Sequence, residues 1–200
     1  MDHYYSEQPS APSRPIALTY TTPGGRALRL TSDAGVFSKE HVDLGSDLLI
    51  RSLPRQFSRA LDMGCGYGPV GLSLAADCPA GQVVLSDINA RAAALSAQNA
   101  RDNRLDNAQV VQGDLFAAVT GDFDLIATNP PIRTGKRNIY ALFAQAWERL
   151  RPGGALYVVI RKQQGAASAK AELARIFGVC ETIARGSGFH VLKATRASSD

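Results

Sequence analysis

Asp62, Asp87 and Asp114 each close a short apolar run, in "RALDMG", "QVVLSDI" and "AQVVQGD". Carboxylates repeated in this way can address several polar groups of one ligand. Between the first two lies "LDMGCGYGPVG", whose glycines let the backbone approach a ligand and whose following helix start favours polar or anionic groups. Two ligands fit this loop. Gly66, Gly68 and Gly71 match the GxGxxG spacing of a dinucleotide site, with Asp87 about 20 residues beyond, where an acid holds the ribose hydroxyls of NAD. Asp62 and Gly64 favour another ligand, because an acid before the glycines repels pyrophosphate and attracts an ammonium such as the amino acid part of S-adenosylmethionine. Asp114 can accept a hydrogen bond from an exocyclic adenine amine. A ligand with an amine, a diol and an adenine accounts for all three acids, whereas NAD accounts well only for Asp87. Further on, "IATNPPIRT" is a strand that stops at Asn129 and runs into Pro130 and Pro131. The two prolines remove two backbone donors and fix φ twice, which stiffens the chain where a buried strand opens onto a loop.

These residues need a frame that brings strand ends together. From position 59 the chain alternates strand and helix: "GPVGLSLAAD" and "NARAAALSAQNARDN" have helical spacing, the latter with Asn89 as its cap, and "FDLIATN" and "GALYVVI" are further strands on either side of the helix "IYALFAQAWERL". Pro152-Gly153-Gly154 reads as the turn before the last of these. This alternation predicts an α/β fold with a mostly parallel sheet covered on both faces. At the end "AELARIFG" reads as a helix and "VCETIARGSGFHVLKAT" as a hairpin that adds an antiparallel strand. Ahead of the alternating region, "IALTYTTPGGRALRLTSD" is a β-hairpin about Gly24-Gly25, "GVFSKEHVDLGS" a loop, and "DLLIRSL" a short helix ended by Pro54. We expect a disordered tail over 1–15 and one domain over 16–200, divided into the hairpin, loop and helix of 16–58 and a core of 59–200.

The segments "DMGCGYG", "SDIN", "GDLF" and "NPPI" resemble, in order and across most of the chain, the class I S-adenosylmethionine-dependent methyltransferases. The resemblance implies a Rossmann-like, seven-stranded sheet with an antiparallel last strand. It implies that Asp62, Gly64, Gly66 and Gly68 surround the methionine end of the cofactor, Asp87 the ribose and Asp114 the adenine, with Ile88 and Leu115 beside them. "NPP" followed by an aromatic residue marks members that methylate a planar nitrogen, where Asn129 and the carbonyl of Pro130, held rigid by Pro131, accept the two amine protons. Asn129 then borders both cofactor and substrate. In this chain Ile132 stands where the aromatic residue stacks on the target base, and Phe37 is the replacement that the sequence offers. "GVFSKEHVDLGSDLLI" is similar to the segment preceding the cofactor strand in the small-subunit ribosomal RNA guanine-N2 methyltransferases, and the implied reaction is methylation of guanine N2 in ribosomal RNA. Glutamine-amide methyltransferases share the Asn-Pro-Pro arrangement. A nicotinamide oxidoreductase and a silent cofactor-binding module, the latter suggested by Ile132, are the readings from other classes.

Composition narrows the partners. The chain has 200 residues, 45% of them hydrophobic and 20% charged, enough for one sizeable core. No apolar run reaches the ~20 residues that span a bilayer and no secretory signal is evident, so a cytoplasmic protein with no membrane partner is expected. Cys65, Cys78 and Cys180 are scattered, without CxxC or histidines at metal spacing, and are expected to be buried thiols with no metal. Net charge is +4, yet residues 133–200 carry 12 Lys/Arg against 4 Asp/Glu and residues 1–132 carry 10 against 14. Such polarity fits a polyanion, and RNA is the expected partner. Arg133, Lys136 and Arg137, after the double proline, and Arg161 and Lys162, after the fifth strand of the core, are placed to meet phosphates.

Overall fold

The computed structural model describes residues 12–36, 38, 41–131 and 135–198. Of the expected substrate residues, Phe37, Ile132 and Arg133 lie outside these. The architecture is the expected one, a seven-stranded sheet with helices on both faces and an amino-terminal hairpin. The sheet has the order β5-β4-β3-β6-β7-β9-β8, with β3 Arg59–Met63, β4 Gln82–Asp87, β5 Ala108–Gln112, β6 Phe123–Thr128, β7 Leu150–Arg161, β8 Cys180–Gly186 and β9 Phe189–Thr195. Strands β3 to β7 pair in parallel, and β9 enters antiparallel between β7 and β8.

Alternation along the central strands sorts side chains onto two faces. Leu156, Val158 and Ile160 of β7 join the core beneath α4 (Lys136–Arg149) and α5 (Ala166–Phe177), together with Phe143, Leu173 and Leu192. Tyr157 and Val159 point the other way, into the core shared with α1 (Leu44–Ser52), α2 (Pro69–Asp77) and the hairpin β1 (Ile16–Thr21) and β2 (Ala27–Ser32). The same core takes residues of α3 (Ala90–Asp102), which Asn89 caps by accepting from the N–H groups of Arg91 and Ala92.

The hairpin is not part of the large sheet. Two amides on successive turns of α3 pair with its inner strand instead: Asn99 accepts from Thr31 N–H (2.7 Å) and donates to Thr31 C=O (2.9 Å), and Asn103 does the same with Arg29 (2.9 and 2.7 Å). A primary amide carries one donor side and one acceptor side, so each imitates a peptide group of a neighbouring strand. At the hairpin turn, Asp77 accepts from Thr22 Oγ1 (2.5 Å) and Gly24 N–H (2.8 Å).

Four local readings change. Helix α1 starts inside the segment read as a loop, because the Asp43 carboxylate accepts from Gly45 and Ser46 N–H and caps it. Pro152-Gly153-Gly154 belongs to β7 as an irregular stretch, since Gly153 N–H bonds to Arg196 C=O and Arg196 N–H to Gly154 C=O. Helix α5 begins earlier than "AELARIFG", at Ala166, just after Gly165 at φ +107°. Ser13 and Arg14, placed in a tail on composition, bond to the buried Asp33.

Candidate functional site

Strand order runs outward from β3 to β5 and then returns to β6 and β7, so the switch falls between β3 and β6, where open α/β sheets bind ligands beyond their carboxyl ends. Register makes those ends level. Met63 is opposite Ser86 on one side and Thr128 on the other, and Asp87 is opposite Gln112. The next residues, Gly64, Asp87 to Ile88, Gly113 to Leu115 and Asn129, therefore lie along one edge.

The four glycines of the loop divide into two kinds. A Cβ on Gly64 would meet nothing within 4 Å, and one on Gly66 only Val36 at 4.0 Å, at φ of +74° and +59°. These two border the open space of a cradle. Gly68 and Gly71 are packed instead: a Cβ would lie 2.8 Å from Leu72 Cδ1 at Gly68, and 2.6 Å from Leu85 Cγ at Gly71. Gly71, the third glycine of the dinucleotide template, is thus accounted for by helix-to-strand packing. Helix α3 fixes the loop backbone, with Ser96 Oγ donating to Gly66 C=O (2.9 Å) and Asn99 Nδ2 to Tyr67 C=O (2.8 Å).

Asp87 is held by the loop itself. Its Oδ2 accepts from Gly66 N–H and its Oδ1 from Asn89 N–H, at 2.8 and 2.9 Å. A carboxylate has about four lone-pair sites, so acceptor capacity remains for a diol. Asp114 is exposed, two residues past β5, and Leu115 follows at φ +46°. Asp62 is 2% exposed and lies beneath the loop, its Oδ2 accepting from Gly71 N–H at 2.8 Å. Burial pushes its carboxyl up to about 7; the Gly71 bond opposes the rise and the Asp87 charge adds to it. Burial raises Asp87 as well.

Asp62 therefore gives a pH signature. The unfolded carboxyl ionises near pH 4 while the folded one keeps its proton to about 7, so the folded state binds more protons between these values. The contribution of Asp62 to stability is full below pH 4, falls as pH rises towards 7, and changes no further above. Asp62→Asn keeps an acceptor for Gly71 and removes the charge, and it is expected to flatten most of this decline, which should amount to a few kcal/mol. Urea midpoints of both proteins from pH 4 to 8 provide the check, with a smaller residual slope expected from Asp87.

At the end of β6, Asn129 is half-buried and its Nδ2 donates to Ser46 Oγ (3.1 Å) and Asp43 Oδ2 (3.3 Å). An ionised carboxylate can only accept, which fixes the amide nitrogen towards α1. Neither Asn129 Oδ1 nor the Pro130 carbonyl has a hydrogen-bond partner among the described residues. Two unengaged acceptors thus follow one another on a stiff segment. Asp43 and Ser46 did not emerge from the sequence as site residues; the N-cap pattern Asp-Leu-Gly-Ser was the available signal. Lys136 and Arg137 are exposed on the first turn of α4.

No group of three or more His, Cys, Asp or Glu side chains among the described residues could hold a metal, and the three cysteines are free and buried. No helix among them is long and apolar enough to cross a membrane.

Comparison with known proteins identifies the family. The model of the methyltransferase small domain matches residues 27–193. Protein YbxB of Bacillus subtilis, uncharacterised, is 42% identical over 199 residues, covering 98% of each chain. Ribosomal RNA small subunit methyltransferase C of Pasteurella multocida is 39% identical over 146 residues, covering 70% of this chain and 44% of its own. The T. thermophilus 16S rRNA N2 G1207 methyltransferase (RsmC), solved in complex with AdoMet and guanosine, superposes with a TM-score of 0.82 at 29% identity, over 94% of this chain and 52% of that one. The chain spans about half the length of these two ribosomal RNA methyltransferases and nearly all of YbxB. With the switch-point cradle, the seven-stranded sheet and a family match that extends over most of its length, the chain belongs to the methyltransferase small domain family, with the class I methyltransferase fold.

Proposed function

We propose that this chain methylates an exocyclic amine of RNA with S-adenosylmethionine, and that the target is N2 of a guanine in ribosomal RNA. The observation that carries the reading is the pair of unengaged acceptors, Asn129 Oδ1 and the Pro130 carbonyl, at the switch point. The relatives named for ribosomal RNA methylation support the substrate class.

Gly64 and Gly66 leave room for the cofactor, Asp87 retains acceptor capacity for its ribose, and the exposed Asp114 offers an acceptor for an adenine amine. When bound, S-adenosylmethionine supplies a methyl group activated by a positively charged sulfur. An amine conjugated to a ring is a poor nucleophile, so the work of the protein is orientation. Asn129 and Pro130 accept the two amine protons and thereby aim the nitrogen lone pair, while the double proline keeps the carbonyl from yielding. The proton is released to water afterwards, and no general base has to be built into the site.

Transfer of labelled methyl into unmodified ribosomal RNA, small ribosomal subunits and a protein extract, measured in parallel, tests the reading. Label is expected in RNA and at guanine N2. Label confined to protein would replace it with glutamine-amide methylation.

A further inference from the structure

Several cations of the described chain are engaged. Arg51 pairs with Asp47, Arg91 with Asp33, Arg151 with Asp124 and Arg175 with Glu172, while Arg59 lies over the Phe123 ring and Arg196 over Trp147. Lys162, Lys170 and Arg185 differ from these. All three are exposed and none forms an ion pair among the described residues.

They also share one place. Lys162 opens the short 3-10 turn that follows β7, and its N–H bonds to Gly188 C=O in the β8–β9 turn at 2.8 Å. Arg185 is opposite His190 in the β8–β9 register, and Lys170 lies on α5, which packs on both strands. Half-buried His190 is held below its ordinary pKa, first by burial and then by Arg185, Lys162 and Lys170.

This cluster continues the edge on which the site lies. Strands β6, β7, β9 and β8 are consecutive neighbours. Their ~4.8 Å spacing sets β8, which carries Arg185, roughly 14 Å across the sheet from the end of β6, the length of about four stacked nucleotides. Arg161 stands between, its guanidinium 4.9 Å from the Phe189 ring, and that ring packs on Gly45 at the start of α1, beside the residues that hold Asn129.

We propose that Lys162, Lys170 and Arg185 form a phosphate track for the RNA strand flanking the target nucleotide, an inference that rests on the RNA reading above. A strand delivering a base to Asn129 has its own phosphates at this distance, and exposed, unpaired cations bind them without reading sequence. The track supplies affinity and register, and Asn129 and Pro130 the chemistry.

The test is the triple variant Lys162→Ala, Lys170→Ala, Arg185→Ala, with ribosomal RNA fragments as the probe over a salt series. Three lost single-strand contacts should make the slope of log affinity against log salt shallower by about 2. KM for RNA should rise, with kcat and cofactor affinity unchanged. The charge-matched control Arg51→Ala, Arg151→Ala, Arg175→Ala should keep the wild-type slope, since those cations are already paired. An unchanged slope in the track variant, or an equal change in the control, overturns the track while leaving RNA methylation standing. If the wild type neither binds nor methylates RNA, the RNA reading falls and the track with it.

Discussion

Asn129→Ala is expected to lower methyl transfer by about 100-fold or more while leaving cofactor affinity close to that of the wild type. In the proposed reaction the substitution removes one of the two acceptors for the amine, and misplacement of a reacting group by ~1 Å is enough for a loss of that size. The effect belongs in kcat, because the lost contact aims the nitrogen and contributes little to holding the rest of the substrate. Asp43→Asn is the informative companion. It retains a side-chain oxygen for the α1 cap but places a donor near the Asn129 amide nitrogen, so the amide no longer has a single favoured orientation. A kcat between those of wild type and Asn129→Ala is expected, with the fold intact. Single-turnover rates and calorimetric titration of the cofactor separate the two effects. Collapse of cofactor affinity in Asn129→Ala would move that residue from the substrate side to the cofactor side.

The largest expected effect on stability comes from Gly71→Val. A Cβ at Gly71 would lie 2.6 Å from Leu85 Cγ, 2.7 Å from Leu85 Cδ2 and 3.0 Å from Asp62 Cβ, all within the core beneath the cofactor loop. Helix propensity alone would favour replacing a glycine in the first turn of α2, by at most a few tenths of a kcal/mol for valine. Overpacking outweighs this and costs about 3 kcal/mol, which for a chain of this size lowers Tm by roughly 6 to 12 °C. Gly64→Ala provides the contrast. Its side chain meets open space, so what it costs in stability is the positive φ, and its main effect should fall on cofactor binding. Thermal melts with and without cofactor distinguish the two glycines.

Much of the fold and part of the site were legible because both depend on local, repeating signals. Strands ending at Asp87 and Thr128 follow from apolar runs cut off by polar residues, and α3 from Asn89 and an alanine-rich stretch. What stayed hidden depends on partners far apart in the chain. Asn129 is held by Asp43 and Ser46 across more than 80 positions, and nothing in "HVDLGS" says which strand end it will face. Asn99 and Asn103 looked like ordinary members of a helix, and their pairing with β2 becomes visible only when the hairpin is docked. Lys170 and Arg185 are likewise on different elements and share a surface only through the antiparallel insertion of β9.

The Asn99 amide has a mechanical consequence. Its single nitrogen grips Thr31 C=O in the hairpin and Tyr67 C=O in the cofactor loop, while the oxygen grips Thr31 N–H. One side chain of α3 thus joins the hairpin and the glycine loop. A displacement of β2 against α3 would therefore strain the bond that holds the glycine loop at Tyr67 as well.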